Sequence, residues 1–445
     1  MATPAPSPTG SRLFGSLFEL RRDSLGVLLS GMRECGDVVR FVAGPPGLRL
    51  TLHGVFSAEG AQRVLATDAA NFRKDSKTYV EVRASFGDGL FTSQDDVYRR
   101  QRRLIQPLFT RRRVDQYADA MREEVTTLLR RWRDRTDRVV DLRDESTRLT
   151  LRVVARILFG ADVEEAVGTM RHSFPIISGS VARRTVSPIT LPRSWDRRYV
   201  TAHRRVHELC DRIIAERAAD GRDEGDDLLG LLARVRDETG DRLAASEVRD
   251  QVLIFLLAGH ETTATALTFA LHLMAHHRDV QARARDEVDR VLGGRPPGAA
   301  DLDRLTYTTW VLKEAMRLYP PVPSIVRRAV DETEIGGYRI PAGSDVFVSP
   351  WVTHRHPAYW PDPERFDPER FRPEEEAGRP RYAWFPFGRG PRACIGEHFS
   401  MLEAVQALAV VLQEFELEGV DSDVSLDQGM TLHATSPVRC RLSPR

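Results

Sequence analysis

Ten residues near the C-terminus, Phe387-Gly388-Arg389-Gly390-Pro391-Arg392-Ala393-Cys394-Ile395-Gly396, constrain this chain more than any other stretch. They form an aromatic, glycine-rich, basic loop that stops just before an apolar helical pattern beginning near His398. A cysteine held by a compact turn at a helix start has backbone amides aimed at its sulfur, and the positive end of the helix dipole favours the thiolate. Such a sulfur suits a metal site that takes one thiolate ligand. The glycines let the backbone approach a large flat group, and Arg392, just before the sulfur, can reach an acidic substituent on that group's edge.

Composition excludes several other classes. Lys plus Arg (65) and Asp plus Glu (64) nearly cancel, so no global field of the kind that nucleic-acid binders use is present and any charge effect is local. The four cysteines, Cys35, Cys210, Cys394 and Cys440, lie far apart with no Cys-x-x-Cys pair, which argues against iron–sulfur clusters, zinc sites and a disulfide framework and points to a reducing cytoplasm. No stretch of the 445 residues reads as a linker between cores, so residues 13–445 are expected to form one domain. Residues 1–12 are polar and proline-rich, without a basic region leading into an apolar core, and read as a disordered tail. Apolar runs such as Val252 to Ala258 fall short of a bilayer span, giving the expectation of a soluble protein with no membrane anchor.

Helical periodicity runs from about Asp95 to Leu318, with many Arg and Glu on the polar faces. Short β signals flank it, at Val38 to Phe41 and Leu48 to His53 around Gly44-Pro45-Pro46-Gly47, then at Tyr338 to Ile340 and Val346 to Ser349 around Pro341-Ala342-Gly343. The pattern predicts a mainly α protein with a small β subdomain to one side. From Trp360 to Pro386 the chain is rich in Pro, Arg and Glu with no usable period, and reads as a long ordered loop.

Two further segments carry chemistry. Ala258-Gly259-His260-Glu261-Thr262-Thr263 sets polar residues between the apolar stretches Val252 to Leu257 and Ala264 to Met274. Burying a carboxylate and hydroxyls costs several kcal/mol unless they find partners, and Gly259 weakens a helix by about 1 kcal/mol relative to Ala. Two local costs at one place mark function rather than an amphipathic face whose polar residues happen to cluster. Glu314-Ala315-Met316-Arg317 places opposite charges at i and i+3, a weak signal by itself, followed at once by Leu318-Tyr319-Pro320-Pro321 and later by Pro368-Glu369-Arg370-Phe371.

Together these segments resemble the cytochrome P-450 family. Phe387, Gly390, Arg392, Cys394 and Gly396 match its signature Phe-x-x-Gly-x-Arg-x-Cys-x-Gly, and Ala258 to Thr262 is similar to its oxygen-binding motif. The resemblance implies that fold, about a dozen helices enclosing haem b, with Cys394 as the iron ligand and Phe387, Gly388, Arg392, Ile395 and Gly396 around the haem. It implies a helix crossing the distal face with Ala258 against the ring, and Thr262 and Glu261 as the catalytic alcohol and acid that manage protons for dioxygen. Arg327 aligns with a propionate-binding arginine. Tyr98 and Arg102 match a Trp/His-x-x-x-Arg helix that binds a haem propionate, with Tyr98 departing from the usual Trp or His but keeping a hydroxyl that can donate to one. Glu314, Arg317 and Arg370 match a triad that holds the cysteine loop.

The implied activity is a soluble, bacterial-type haem-thiolate monooxygenase that hydroxylates or otherwise oxidises a bulky hydrophobic molecule with O2. Without several hundred further residues no fused reductase is expected, and electrons from NAD(P)H are expected through a separate ferredoxin or flavodoxin with its reductase. The basic run Arg99, Arg100, Arg102, Arg103 and Arg111 to Arg113, together with Arg389, is a candidate docking face, though most of these arginines read as solvated surface. By the same resemblance the substrate pocket draws on Tyr79 to Leu90, Phe174 to Pro192, Leu257, Val322 to Val326 and Gly429 to Leu432, mostly apolar or small residues. A terpenoid or polyketide intermediate is the expected substrate class. Two alternatives stay open: peroxide-driven, desaturating or coupling chemistry on the same fold, and a non-catalytic recruitment module.

Overall fold

One helix, Ala245–His276, is buried nearly all the way round, from Val252 to Leu257 and again from Thr263 to Ala275. A helix apolar on every side belongs in the middle of a fold. In the computed structural model, which describes residues 3–159, 164–187, 191–219, 227–236 and 240–445, this helix packs against Leu142–Phe159, Thr306–Leu318, Arg278–Leu292 and Glu397–Glu414. Its start is fixed by the Glu247 carboxylate, which accepts the Ala244 N–H at 2.8 Å and leans on the helix dipole. By length and composition this helix could cross a membrane, contrary to the expectation drawn from the apolar runs; its apolar surface is instead spent on the core.

The β subdomain lies to one side, as expected. Its five-stranded sheet has the order Val38–Ala43, Leu50–Val55, Asp345–Val348, Ile325–Ala329, Phe72–Arg73, with one parallel pairing between Leu50–Val55 and Asp345–Val348. Strand Ile325–Ala329 therefore runs from the end of helix Thr306–Leu318 into the sheet and carries Arg327 with it. Tyr338–Ile340 is a strand as expected, but of a separate sheet with Thr333–Ile335 and Thr3–Pro4. Phe415–Gly419, Arg439–Pro444 and Val139–Asp141 form a third sheet, and Leu426–Gln428 with Leu432–Ala434 a hairpin.

The proline-rich start differs from the disordered tail expected of it. Thr3–Pro4 pairs in parallel with Tyr338–Arg339, Ala5 is 2% exposed, Pro6 O accepts the Arg40 N–H at 2.7 Å, and Thr9 N–H donates to Glu34 at 2.9 Å. Proline already restricts the chain to extended backbone, so laying such a segment on a sheet edge costs little further entropy.

The irregular stretch from Trp360 to Pro386 is ordered around a buried ion pair. Glu314 and Arg317 are both fully buried and joined at 2.6 and 2.8 Å, and Arg370 approaches Glu314 at 3.5 Å. Arg317 also donates to the carbonyls of His354, Pro363 and Arg365, and Asp367 N–H donates to Glu314 at 3.0 Å. Trp360, 0% exposed, donates its indole N–H to Ala383 O, and His354 accepts the Phe385 N–H. The loop that runs into Phe387 is thus fastened to a core helix before it reaches Cys394.

Candidate active site

Cys394 lies deep in the fold, surrounded by protein, and yet its surface is open. The two facts agree only if the residue borders an interior space. Its N–H donates to Phe387 O at 2.9 Å and the Ala393 N–H to Gly390 O at 3.1 Å, closing the loop on itself. Gly390 has φ +73°, and a Cβ there would stand 2.1 Å from Leu65 O, so the turn admits no side chain at this position. Burial, with the Glu397 charge adding to it, pushes the Cys394 thiol up, while the Gly396 N–H and, more weakly, Arg102 favour its charged form. Helix Glu397–Glu414 begins immediately afterwards. The amide aimed at the sulfur is the arrangement expected from the loop's sequence.

Across the core, Ala258 is exposed in the middle of the otherwise buried central helix, and Thr262, one turn on, is half-buried. Thr262 Oγ1 donates to Ala258 O at 2.7 Å, a bond back to the preceding turn that tends to bend a helix. Thr263 Oγ1 lies 2.9 Å from Ser400 Oγ, which ties this turn to the helix that follows Cys394. Ile395 and Leu257 meet in the same apolar cluster. Glu261 accepts a hydrogen bond from Thr431 Oγ1 at 2.5 Å, and burial lifts its carboxyl to about 7 against the pull of that bond. His260 is held neutral by burial, its ring on Leu256 O and edge-on to Phe174 at 5.2 Å.

Beside the cysteine loop, three cations gather without an anion. Arg392 stacks on the Tyr98 ring, 3.4 Å from its centroid, and donates to Ser93 O at 2.7 Å; burial, with Arg327 adding to it, brings it down to about 10. Arg327, 5% exposed, donates to Tyr79 Oη at 3.2 Å. Lys74, 6% exposed, donates to Phe91 O at 2.7 Å and is pushed well down by burial and by the charges of Arg327 and Arg392. Among the described residues no carboxylate forms an ion pair with any of the three. Buried like charges brought together without a counterion are costly, so the cluster is built for acidic groups that come from elsewhere.

These features fit a haem: one cysteine sulfur on an interior space, a small residue exposed on the helix across it, and cations for the two propionates. Lys74 was not anticipated. It follows Phe72-Arg73 and precedes Asp75, and in sequence it is indistinguishable from any charged loop residue. Tyr98 and Arg102, also expected at a propionate, make contacts to the cysteine loop. The single O–H of Tyr98 donates to Pro391 O at 2.7 Å, and Arg102 donates to Ala393 O at 3.0 Å, so both hold the cysteine loop in place from helix Asp95–Ile105. The turn at Gly390–Arg392 leaves those carbonyls to be met from outside, and this helix lies against it.

A cavity of about 820 Å³ adjoins the acid side of the central helix, bounded by Phe174, Ser178, Glu261, Thr265, Val326 and Met430. It draws on three of the five expected segments. Tyr79 to Leu90 does not line it, Lys77 and Thr78 doing so instead, and Leu257 is buried in the core. Residues 188–190 of the expected Phe174 to Pro192 wall lie outside the described residues. Arg143, Asp144 and Arg171 also border the cavity, so its wall is more polar than expected. The basic run is largely engaged within the molecule: Arg99 pairs with Asp96, Arg100 with Asp241 and Glu247, and Arg111 with Asp303.

Comparison with known proteins agrees with this geometry. The family model described as cytochrome P-450 matches residues 5–439. The chain is 38% identical to cyclooctatin synthase of Streptomyces melanosporofaciens, over 99% of this chain and 95% of that protein. It is 36% identical to cyclooctat-9-en-7-ol 5-monooxygenase of the same organism, over 94% and 90%. It is 34% identical to pentalenene oxygenase of Streptomyces avermitilis, over 99% and 97%. Among solved structures, the cytochrome P-450DA heme domain superposes with a TM-score of 0.89 at 30% identity, covering 100% of this chain and 98% of that one.

Proposed function

Because this chain belongs to the cytochrome P-450 family, we propose that it is a haem-dependent monooxygenase that inserts one oxygen atom from O2 into a bulky hydrophobic secondary metabolite, of terpenoid or polyketide type. The observation that carries the reading is the pairing of an open but deeply set Cys394 with a cluster of buried Lys74 and Arg327 and half-buried Arg392 that, among the described residues, has no carboxylate partner. When bound, haem would supply dioxygen activation and oxygen transfer to a C–H bond, and a thiolate ligand from Cys394 would favour O–O cleavage.

The chain's own residues divide the remaining work. Cys394 would hold the iron, supported by the Gly396 N–H. Arg392, Arg327 and Lys74 would hold the propionates, while Tyr98 and Arg102 keep the cysteine loop in register through Pro391 O and Ala393 O. Phe387, Gly388 and Ile395 would border the ring from the loop, and Ala258 would leave room for it on the central helix. Glu261, with a proton affinity near neutral, can take a proton from solvent in the cavity and release it toward the Thr262 hydroxyl.

An apolar substrate suits the walls formed by Phe174, Val326 and Met430, and the polar groups among them can orient a hydroxyl or carbonyl. The relatives' names support this class, since one is an oxygenase of pentalenene and another a monooxygenase of cyclooctat-9-en-7-ol. A ferredoxin or flavodoxin with its reductase is the electron source in this reading, and the cytoplasm its compartment.

Turnover under isotopically heavy dioxygen, with a reductase system and polycyclic hydrocarbons or their alcohols as trial substrates, tests the proposal. One heavy oxygen per product molecule is expected. Product that is merely dehydrogenated or coupled, or that forms only with added peroxide, would favour the other chemistry of the same fold.

A further inference from the structure

We infer that Thr431 is a positioning residue that aims the Glu261 carboxyl and ties its proton supply to the C-terminal hairpin, an inference that rests on the acid role given to Glu261 above. Thr431, 7% exposed, sits at the tip of the hairpin and donates to Glu261 Oε2 at 2.5 Å. Thr262, the neighbouring alcohol, is bonded instead to its own helix at Ala258 O. The acid and the alcohol therefore have separate partners, and the acid's partner comes from another element.

The backbone around Thr431 is fixed on three sides. Met430 N–H donates to Ser178 Oγ at 3.3 Å, on helix Glu164–Val186, which forms a wall of the cavity. Leu432 N–H donates to Pro321 O at 2.9 Å, and Leu432 O accepts from Thr265 Oγ1 at 3.0 Å, one helical turn beyond Glu261. A shift of the cavity wall at Ser178 would thus be felt at the Thr431 hydroxyl and, through it, at the carboxyl.

Most other charged groups around the cavity are engaged with partners of their own. Arg171 pairs with Asp144 at 3.0 Å, Arg143 donates to Ala434 O at 3.1 Å, and Arg183 faces Asp196 at 3.6 Å. Lys77 donates to Ser187 O, Asp345 pairs with Arg328 at 2.8 Å, and His433 lies 3.9 Å from Asp427. Asp23 accepts from Gly26 N–H at 2.8 Å beside Arg21 and Arg22 at the N-terminal rim, and His260, on the acid's own helix, is buried and neutral. The hydroxyl of Thr431 is the group that meets the carboxyl directly. A donated hydrogen bond favours the charged carboxylate, so its loss strengthens the hold on the proton and makes the acid a poorer relay at neutral pH.

The test is a titration of the Glu261 carboxyl in the full-length, haem-loaded protein by infrared spectroscopy, with the signal assigned by its disappearance in E261Q. T431V, which keeps the shape and removes the hydroxyl, is expected to raise the midpoint by about one pH unit or more, and T431S to restore it to near the unsubstituted value. An unchanged midpoint in T431V, or a raised one in T431S, overturns the inference. The underlying reading fails in a different way: product formed per reducing equivalent would be the same in E261Q as in the unsubstituted enzyme, whatever the titration of T431V.

Discussion

The Thr262 hydroxyl gives its hydrogen to Ala258 O at 2.7 Å, leaving the oxygen lone pairs to accept from a water or a reacting group, while Glu261 turns toward the hairpin. Such a division suits an acid that reloads from the cavity and an alcohol that presents a hydrogen-bond acceptor beside Ala258. In T262A neither Cys394 nor the cluster of Lys74, Arg327 and Arg392 is touched, so haem content should be unchanged. Reducing equivalents should instead leave as hydrogen peroxide, with product per NAD(P)H falling by roughly a hundredfold, the lower end of what positioned proton transfer contributes. Parallel assays of peroxide, product and NAD(P)H check this, and fully coupled product formation in T262A would contradict the role given to the hydroxyl. At this scale the sequence was a good guide wherever a residue's neighbours in the chain are also its neighbours in space. Cys394, Gly390 and Thr262 are of that kind. Lys74 and Thr431 are not, since each acquires its meaning from a contact across the fold, Lys74 beside Arg327 and Arg392 and Thr431 against Glu261.

Helix Thr306–Leu318 and the irregular stretch behind the cysteine loop act as one unit through Glu314, Arg317 and Arg370. Removing one member of a buried pair leaves an uncompensated charge, so E314A should cost about 3–5 kcal/mol. E376A, which removes the more exposed pair of Lys313 and Glu376, should cost at most about 1 kcal/mol. Urea denaturation of both variants, with haem retention followed alongside, separates the two. Equal destabilisation would mean that the triad does not brace the loop. The elements themselves were legible to different degrees for physical reasons. Alternation and turn residues marked Val38–Ala43, Leu50–Val55, Tyr338–Ile340 and Asp345–Val348 to within a few residues. Sheet membership was hidden, because Tyr338–Ile340 pairs with a neighbour fixed by its turn and with Thr3–Pro4 from the far end of the chain. The proline-rich start has no side-chain pattern that announces an edge strand, and its order comes from partners at Arg40, Glu34 and Tyr338.

For the molecule as a whole, a single buried helix, Ala245–His276, organises both the core and the chemistry. Its apolar length builds the interior, and its polar turn at Gly259 to Thr263 faces the Cys394 helix through Thr263 and Ser400 and the hairpin through Glu261 and Thr431. The match of the cytochrome P-450 family model over residues 5–439 agrees with this arrangement. The cavity was harder to read from sequence, since Tyr79 to Leu90 and Leu257 were expected to line it and do not, while Arg143 and Arg171 reach it from helices whose faces a linear pattern assigns to solvent. The central claim is that Cys394 binds haem iron as a thiolate. The most direct measurement is the absorption spectrum of the purified protein after reduction and addition of carbon monoxide. A strongly red-shifted Soret band is predicted, lost on replacing Cys394 with Ala. A Soret band at the position of a neutral axial ligand in freshly prepared, folded protein would contradict the claim.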